Sequence, residues 1–177
     1  MQKHLSVLAI AISCIAVSCT SKNDGGLSPT AQKNLDAMHG VTNTFQTKDF
    51  SKLGDYIAAD AVDHAGENGD IKGVDSMKAA FAKYAAQMDN EKATVIKELA
   101  DDEYVMSWMH FEGNYKTAGM GHKAGDKFDM KSIEMARFKD GKAVEHWTMM
   151  DPNDLMKMMA STQPQMATPA DSTVKKK

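Results

Sequence analysis

The first part of the sequence carries apolar residues at helical spacing. A first helix is predicted to begin at Ser28, whose hydroxyl can cap it, because the following Pro29 suits the first helical position. Its apolar face consists of residues three or four positions apart, with one adjacent threonine: Leu35, Met38, Val41, Thr42 and Phe45. The segment from Val74 to Met88 has the same periodicity and predicts a second long amphipathic helix.

Between these helices the pattern predicts a short helical turn and then an extended segment. Asp49 is expected to cap the turn, Phe50 and Leu53 to face inward, and Gly54 to end it. Residues 57–64 contain a short strand, and a polar loop follows it.

The second half of the chain has the longer, extended patterns typical of strands. Four strands are predicted: Lys92–Ala100, Glu103–Tyr115, Lys127–Phe138 and Lys142–Met150. Asp140-Gly141 is a tight-hairpin signal between the last two. Apolar residues change faces within the third strand, which a β-bulge near Lys131 would reconcile. A last short helix is predicted from Asp151-Pro152 to Met159.

Helices followed by long strands predict an α+β fold. The expected architecture is a cone-shaped, curved antiparallel sheet packed by the N-terminal helices and enclosing a pocket, which is a common place for a ligand. The chain has 177 residues, and one domain is expected over residues 28–160. The 15 methionines suit an irregular apolar cavity, although they fill ordinary cores equally well.

The N-terminal residues 1–18 have the pattern of a signal peptide. Lys3 precedes an apolar run, Leu5–Val17, that is too short to span a bilayer comfortably. The sequence AVSC resembles a bacterial lipobox, which implies cleavage before Cys19 and diacylation of its thiol. Cys14 is disfavoured because cleavage there would leave too short an apolar run; a plain secretory peptide is the alternative. Either interpretation predicts export, and the lipobox predicts anchoring to the cell envelope, facing the periplasm or the surface.

The remaining segments and the overall charge exclude several function classes. Residues 19–27 are expected to form a lipidated tether, and residues 161–177 a disordered tail. The net charge is −3 with no basic stripe, so no nucleic-acid partner is expected. Cleavage at Cys19 leaves no free thiol for chemistry. The histidines lack metal-binding spacing and no phosphate-binding glycine loop is present, so no metal and no cofactor are expected.

Five stretches of the sequence occur in an order and spacing that indicate a family. They are LGDYIAADAVDH (Leu53–His64), IKGVDSMKAAFAKY (Ile71–Tyr84), FEGNY (Phe111–Tyr115), AGDKF (Ala124–Phe128) and RFKDGKAVEHWTMMD (Arg137–Asp151). Together they resemble the SnoaL-like polyketide cyclases of the nuclear transport factor 2-like superfamily. The resemblance covers about Leu35 to Met159. It implies a cone-shaped α+β fold with an internal pocket, often dimeric through the sheet, so a homodimer is expected.

The resemblance also proposes catalytic residues. In the cyclases an aspartate closing the segment E-H-W-x-x-x-D acts as acid/base, and Asp151 matches that position; the alternative is that Asp151 only caps the helix at Pro152. Tyr115 stands where the family has a histidine, and its phenol could donate to an oxyanion or simply pack. His64 could orient a carbonyl or act as a base, or could be a hydrogen-bonded, half-buried histidine.

Strand alternation assigns further side chains to the pocket or to the outside. If alternation continues to Asp151, Trp147 and Met149 share its face and wall the pocket, although Trp147 could equally be a core residue. His146 would then point away from Trp147, and Glu134 is expected to point outward.

In the strand before the Gly119–His122 loop, Met109 and Phe111 share the face of Tyr115 and are expected to line the pocket. His110 is expected on the outer or dimer face. His122 is expected to be solvated in its loop.

The combined hypothesis is a lipid-anchored domain with an apolar small-molecule pocket. It would act as a cofactor-free acid/base isomerase or cyclase on a carbonyl compound, with Asp151 as acid/base and Tyr115 and His64 polarising the substrate. The alternative is a non-catalytic module that binds a small apolar ligand or interacts with another envelope component. The membrane is expected as a partner through the lipid anchor only.

Overall fold

A computed structural model describes residues 26–66, 68–118 and 122–156 of the chain. Its helices are α1 (Pro29–Thr47), α2 (Leu53–Tyr56) and α3 (Val74–Ala86). Its strands are β1 (Ile57–Asp63), β2 (Ile71–Lys72), β3 (Met88–Ala100), β4 (Tyr104–Tyr115), β5 (Lys127–Lys139) and β6 (Lys142–Met150). Residues 152–156 are also helical. The predicted signal peptide, Cys19, Met159 and the predicted tail lie outside the described residues.

The strands form one curved sheet in the order β2-β1-β6-β5-β4-β3, and the fold is α+β as expected. Strands β3 to β6 follow one another as antiparallel neighbours. The expectation of a purely antiparallel sheet is corrected by β1, which pairs with β6 in parallel. A parallel pair requires a long crossover connection, and here most of the domain lies between its two strands.

Local irregularities bend the sheet. Asp140 and Gly141 both have positive φ (55° and 80°), as the two-residue turn of a tight hairpin requires. The pairing of β4 with β5 is continuous, and β5 shifts its register against β6 between Arg137 and Phe138, so the prediction of a bulge near Lys131 is wrong. Strand β3 has two register shifts of its own, and such bulges increase local twist.

The helices lie on the concave face of the sheet. The Ser28 side chain caps α1 by accepting a hydrogen bond from the Ala31 amide at 3.0 Å. Phe45 on α1 packs edge-on against Phe50 and on Phe81 of α3, with ring centroids 5.1 and 4.8 Å apart. Aromatic contacts of this kind add to area burial in holding the helices together.

The short helix α2 differs from its prediction in two respects, at Asp49 and at Gly54. Phe50 and Leu53 are buried, as expected. Asp49, however, accepts a hydrogen bond from the Ser51 amide in the turn before α2, and Gly54 lies inside the helix rather than ending it. The helix begins later than the sequence indicates because this Asp49 turn precedes it.

No helix in the described part of the chain is long and apolar enough to cross a membrane.

Candidate functional site

A cavity of about 340 Å³ lies between the concave face of the sheet and helices α1 and α3. This volume is at the small end of the range for ligand pockets. Its walls are mainly apolar, with Met38 and Phe45 from α1 and Met77 and Phe81 from α3. Met109 and Phe111 of β4 also line the cavity.

Strand β5 contributes a row of alternating residues to the cavity wall: Phe128, Met130, Ser132, Glu134 and Ala136. Successive side chains of a strand point to opposite faces, so these five residues, each two positions from the next, lie on the same face of β5. Glu134 therefore faces inward, and the expectation that it points outward is wrong.

Three strands bring a histidine and two carboxylates together at this wall. His146 of β6 lies between Asp63 of the parallel neighbour β1 and Glu134 of the antiparallel neighbour β5. Its Nδ1 atom is 2.9 Å from Oδ1 of Asp63, and its Nε2 atom is 3.1 Å from Oε2 of Glu134. A neutral imidazole has one N–H, whereas an imidazolium has two, so two acceptor carboxylates match the protonated form. We call Asp63, His146 and Glu134 the imidazolium centre.

Further hydrogen bonds hold the two carboxylates in place. Glu134 accepts from the Thr148 hydroxyl at 2.6 Å and from the Ser132 hydroxyl, while Asp63 accepts from the Ala65 amide at 2.9 Å. Only 5% of the Asp63 side chain and 17% of the Glu134 side chain are exposed. Each charge of the centre therefore has an oppositely charged partner within the protein, while the His146 side chain is 28% exposed.

The surroundings determine the ionisation of the centre. Burial opposes charging of His146, but its hydrogen bonds to Asp63 and Glu134 outweigh burial and raise its pKa to about 9. Burial likewise opposes ionisation of both carboxyls, yet the bond and charge of His146 hold the pKa of Asp63 and of Glu134 below their ordinary values. At neutral pH an imidazolium thus lies between two carboxylates. No group of three or more metal-ligating side chains suited to a metal ion occurs among the described residues.

Asp151, expected as the acid/base, does not lie on the cavity wall. It is exposed, and its Oδ1 accepts a hydrogen bond from the Asn153 amide at 2.8 Å. Its backbone oxygen accepts from the Leu155 amide at 3.0 Å. This is the geometry of a helix cap, which was the alternative for this residue.

Trp147 and Met149 do not wall the cavity, so that expectation is wrong. His146, Thr148 and Met150 line it instead, and Trp147 and Met149 alternate with them on the outer face of β6. The expectation was wrong because it assumed that Asp151 points into the cavity and counted the inner face of β6 back from it. Asp151 lies beyond the end of the strand, which is at Met150.

The side chains of His64 and Tyr115 do not belong to the imidazolium centre, although the His64 amide donates a hydrogen bond to the backbone oxygen of His146 at 2.9 Å. The His64 Nδ1 atom is 3.0 Å from Oδ1 of Asp70, and its ring stacks on Trp147 with centroids 5.1 Å apart. Tyr115 stacks on His122 at 3.5 Å near the end of β4, and its burial raises the pKa of its phenol. Neither residue lines the cavity, so the three expected catalytic residues are not brought together.

One more polar residue of the cavity was missed by sequence reasoning. Glu91 of β3 lines the cavity near Met88, and among the described residues its Oε2 atom is buried without a hydrogen-bond partner. Burial raises the pKa of this carboxyl, against the opposing charge of Lys48. His110 lies on the outer face, as expected, and its Nε2 atom is 2.8 Å from Oδ1 of Asp129.

Comparisons with known proteins agree with this architecture. The family model of SnoaL-like polyketide cyclases matches residues 36–159. A SnoaL-like protein from Jannaschia sp. CCS1 has a TM-score of 0.67 and 15% identity, and the match covers 78% of this chain and 99% of that one. TsrD from Streptomyces laurentii gives 0.64 and 18%, with 77% and 99% covered. IdmH from Streptomyces antibioticus gives 0.61 and 26%, with 72% and 98% covered. No curated protein sequence matches the chain significantly.

Proposed function

The chain belongs to the SnoaL-like polyketide cyclase family, and from this premise we propose that its cavity binds a small, mainly apolar carbonyl compound and catalyses proton transfer on it. The reaction class is isomerisation or aldol-type cyclisation without a cofactor. His146 and Glu134 would be the catalytic residues, and Asp63 would position His146.

The observation that carries this proposal is the imidazolium centre at the wall of a mainly apolar cavity. Charged groups act strongly on a bound molecule where water is excluded and where they are already oriented. An imidazolium supplies a donor for the oxygen of a carbonyl, and an adjacent carboxylate supplies an acceptor for a proton on the neighbouring carbon. Both groups occur here within 3.1 Å of each other.

Substrate binding would also activate Glu134. A carbonyl oxygen that takes the Nε2–H of His146 displaces Glu134 from that hydrogen bond. Because this bond helps to lower the pKa of Glu134, its loss makes the carboxylate a stronger base. Glu134 then removes the proton from the carbon beside the carbonyl, and the developing enolate oxygen is stabilised by His146. Return of the proton from Glu134 to another carbon of a conjugated enolate gives an isomer. Attack of the enolate carbon on a second carbonyl of the same molecule closes a ring, and the alkoxide that forms takes the proton from Glu134.

Deuterium exchange tests this proposal with any enolisable ketone that fits the cavity, whatever the natural substrate is. Rigid aromatic ketones, such as 4-acetylbiphenyl, are incubated with the protein in D₂O, and exchange beside the carbonyl is followed by mass spectrometry. We expect exchange above the buffer rate, and a loss of about 10²–10⁴-fold in H146Q and E134Q. His110→Gln is the matched control, because its ring lies on the outer face of the sheet. Exchange at the buffer rate by wild type that binds the ketone would reject catalysis.

A non-catalytic binding module is the second candidate. It is favoured by one observation: both ring nitrogens of His146 already have carboxylate partners within the protein. In that case the centre would only fix the strands and present a polar wall to a bound ligand. Ketone binding with exchange at the buffer rate in both wild type and H146Q is the outcome this candidate predicts.

The location of the protein is proposed from the sequence. We propose export and anchoring to the cell envelope through a lipid on Cys19, on the pattern of the apolar run and the AVSC motif. C19A is then expected to appear in the soluble fraction after membrane sedimentation. Continued sedimentation of this variant with membranes would contradict the anchor.

We also propose that the protein forms a homodimer through the outer face of the sheet. Trp108, Ile133 and Met149 form one row across β4, β5 and β6 on that face. Trp108 is 45% exposed and Met149 is 44% exposed, and exposed apolar surface of this kind favours association. W108E is expected to sediment as a monomer where wild type sediments as a dimer; a monomeric wild type would reject the dimer.

A further inference from the structure

Glu91 is held toward the cavity by an irregularity in β3. The register of β3 against β4 shifts between Asp89 and Lys92, and Asn90, inside this shift, has φ of 53°. A residue in the left-handed conformation at a bulge re-aims the side chains beside it. The result is that Glu91 lines the cavity while Lys92, its neighbour, is exposed. A carboxylate oxygen that is buried without a partner is unfavourable for the fold, so its retention calls for a partner from outside the chain.

The nearby cation does not provide that partner. Lys48 donates its Nζ hydrogens to the backbone oxygens of Ala85 and Met88, at 2.9 and 2.6 Å. Its positive charge nevertheless lies close enough to act on Glu91. A cationic ligand group would be repelled by Lys48 and an anionic one by Glu91. A neutral hydroxyl, which can both donate and accept, suits the site in either ionisation state of the carboxyl.

Glu91 lies at the end of the cavity away from the imidazolium centre. Glu134 pairs with Ser107 across β5 and β4, whereas the shift that contains Glu91 lies beside Gly113. Gly113 is six positions after Ser107 in β4, which is about 20 Å along the strand. The wall between the two rows is apolar on β4, where it consists of Met109 and Phe111.

From this arrangement we propose that Glu91 determines ligand specificity by hydrogen-bonding a hydroxyl group at the far end of an elongated, mainly apolar ketone whose carbonyl lies at His146. The inference rests on the proposed function, because it takes the carbonyl end of the ligand from there. The inference adds a second hydrogen-bonding residue for the ligand. The ligand must then be long enough to reach from His146 to Glu91 and must carry a hydroxyl group at its far end.

A pair of rigid probes separates the two ends of the ligand. 4-Acetyl-4′-hydroxybiphenyl carries both the carbonyl and the hydroxyl, whereas 4-acetylbiphenyl lacks the hydroxyl. Dissociation constants of both are measured by titration calorimetry on wild type, E91M, E91Q and E112M. Glu91→Met keeps the length of the side chain without its hydrogen-bonding atoms, and Glu91→Gln keeps a donor and an acceptor. Glu112→Met makes the same change on the outer face of β4 and is the matched control.

Wild type and E112M are expected to bind the hydroxylated probe about 10-fold more tightly than the other probe. E91M is expected to lose this preference while still binding 4-acetylbiphenyl, and E91Q to keep part of it. Equal binding of both probes by wild type, or an unchanged preference in E91M, would overturn the role of Glu91 and leave the proposed function standing. Failure of wild type to bind either probe would overturn both.

Discussion

Asp63 on β1 and His146 on β6 are 83 positions apart in the chain, yet Oδ1 of the first lies 2.9 Å from Nδ1 of the second. The parallel pairing of the two strands, with Asp63 opposite His146, creates this contact. It joins an N-terminal element of the domain to the last strand, and it contributes a charged group to the cavity wall. Removing either partner would leave the other without its oppositely charged partner at a partly buried site.

This contact makes stability depend on pH in a defined direction. The pKa of His146 is raised from 6.5 to about 9, so its contribution is complete below pH 6.5 and is lost as pH rises through 9. We expect the free energy of unfolding of wild type to exceed that of H146Q by more at pH 6 than at pH 9. The difference between the two pH values should approach about 3 kcal/mol, at about 1.4 kcal/mol per pKa unit.

Urea unfolding of both proteins at each pH measures this difference. H110Q controls for loss of a histidine on the outer face, and its curve should run parallel to that of wild type. If wild type and H146Q differ by the same amount at pH 6 and pH 9, the imidazolium is not held between Asp63 and Glu134 in solution.

Asp151 is expected to affect stability and not chemistry. Asp151→Ala removes the bond to the Asn153 amide, at a cost of about 1 kcal/mol, whereas Asp151→Asn keeps a capping oxygen and should be close to wild type. Deuterium exchange into 4-acetylbiphenyl should be unchanged in both variants. A large loss of exchange in D151N, with its stability preserved, would instead restore Asp151 as the acid/base.

Local chemistry allowed much of the fold to be predicted from the sequence. The Ser28 cap and the Asp140-Gly141 hairpin depend only on neighbouring residues, and both are confirmed. The imidazolium centre was missed because the parallel pairing of β1 with β6 has no local sequence signal. Alternation shows which residues of β6 share a face, but not which face points into the cavity. Because Asp151 was assumed to point inward, the predicted positions of His146 and Trp147 were exchanged.

Gly113 should be required for the end of the cavity near Glu91. A Cβ atom at this position would lie 2.5 Å from Cζ of Phe128 and 3.0 Å from the backbone oxygen of Asp89. G113A must therefore displace the Phe128 ring, and we expect a loss of about 1–3 kcal/mol in the free energy of unfolding. Gly54→Ala is the control, because nothing lies within 4 Å of its added Cβ, and it should be neutral or slightly stabilising. Equal effects of both substitutions would contradict close packing at Gly113.

Glu91→Met is expected to stabilise the fold while it removes ligand discrimination. Methionine fills the same space without a buried, unpartnered oxygen, so the free energy of unfolding at pH 8 should rise by about 1–2 kcal/mol. The sign of the pH dependence follows from the raised pKa of Glu91. As pH rises above about 4, the unfolded carboxyl ionises before the folded one, which lowers wild-type stability but not that of E91M.

The gain in E91M should therefore be larger at pH 8 than at pH 4, as measured by urea unfolding, and E112M should show no such trend. A residue that weakens the fold and strengthens selection of a ligand is what a binding site is expected to contain. If E91M is no more stable than wild type at pH 8, the Glu91 carboxyl is already satisfied in the free protein, and a ligand hydroxyl would have nothing to gain there.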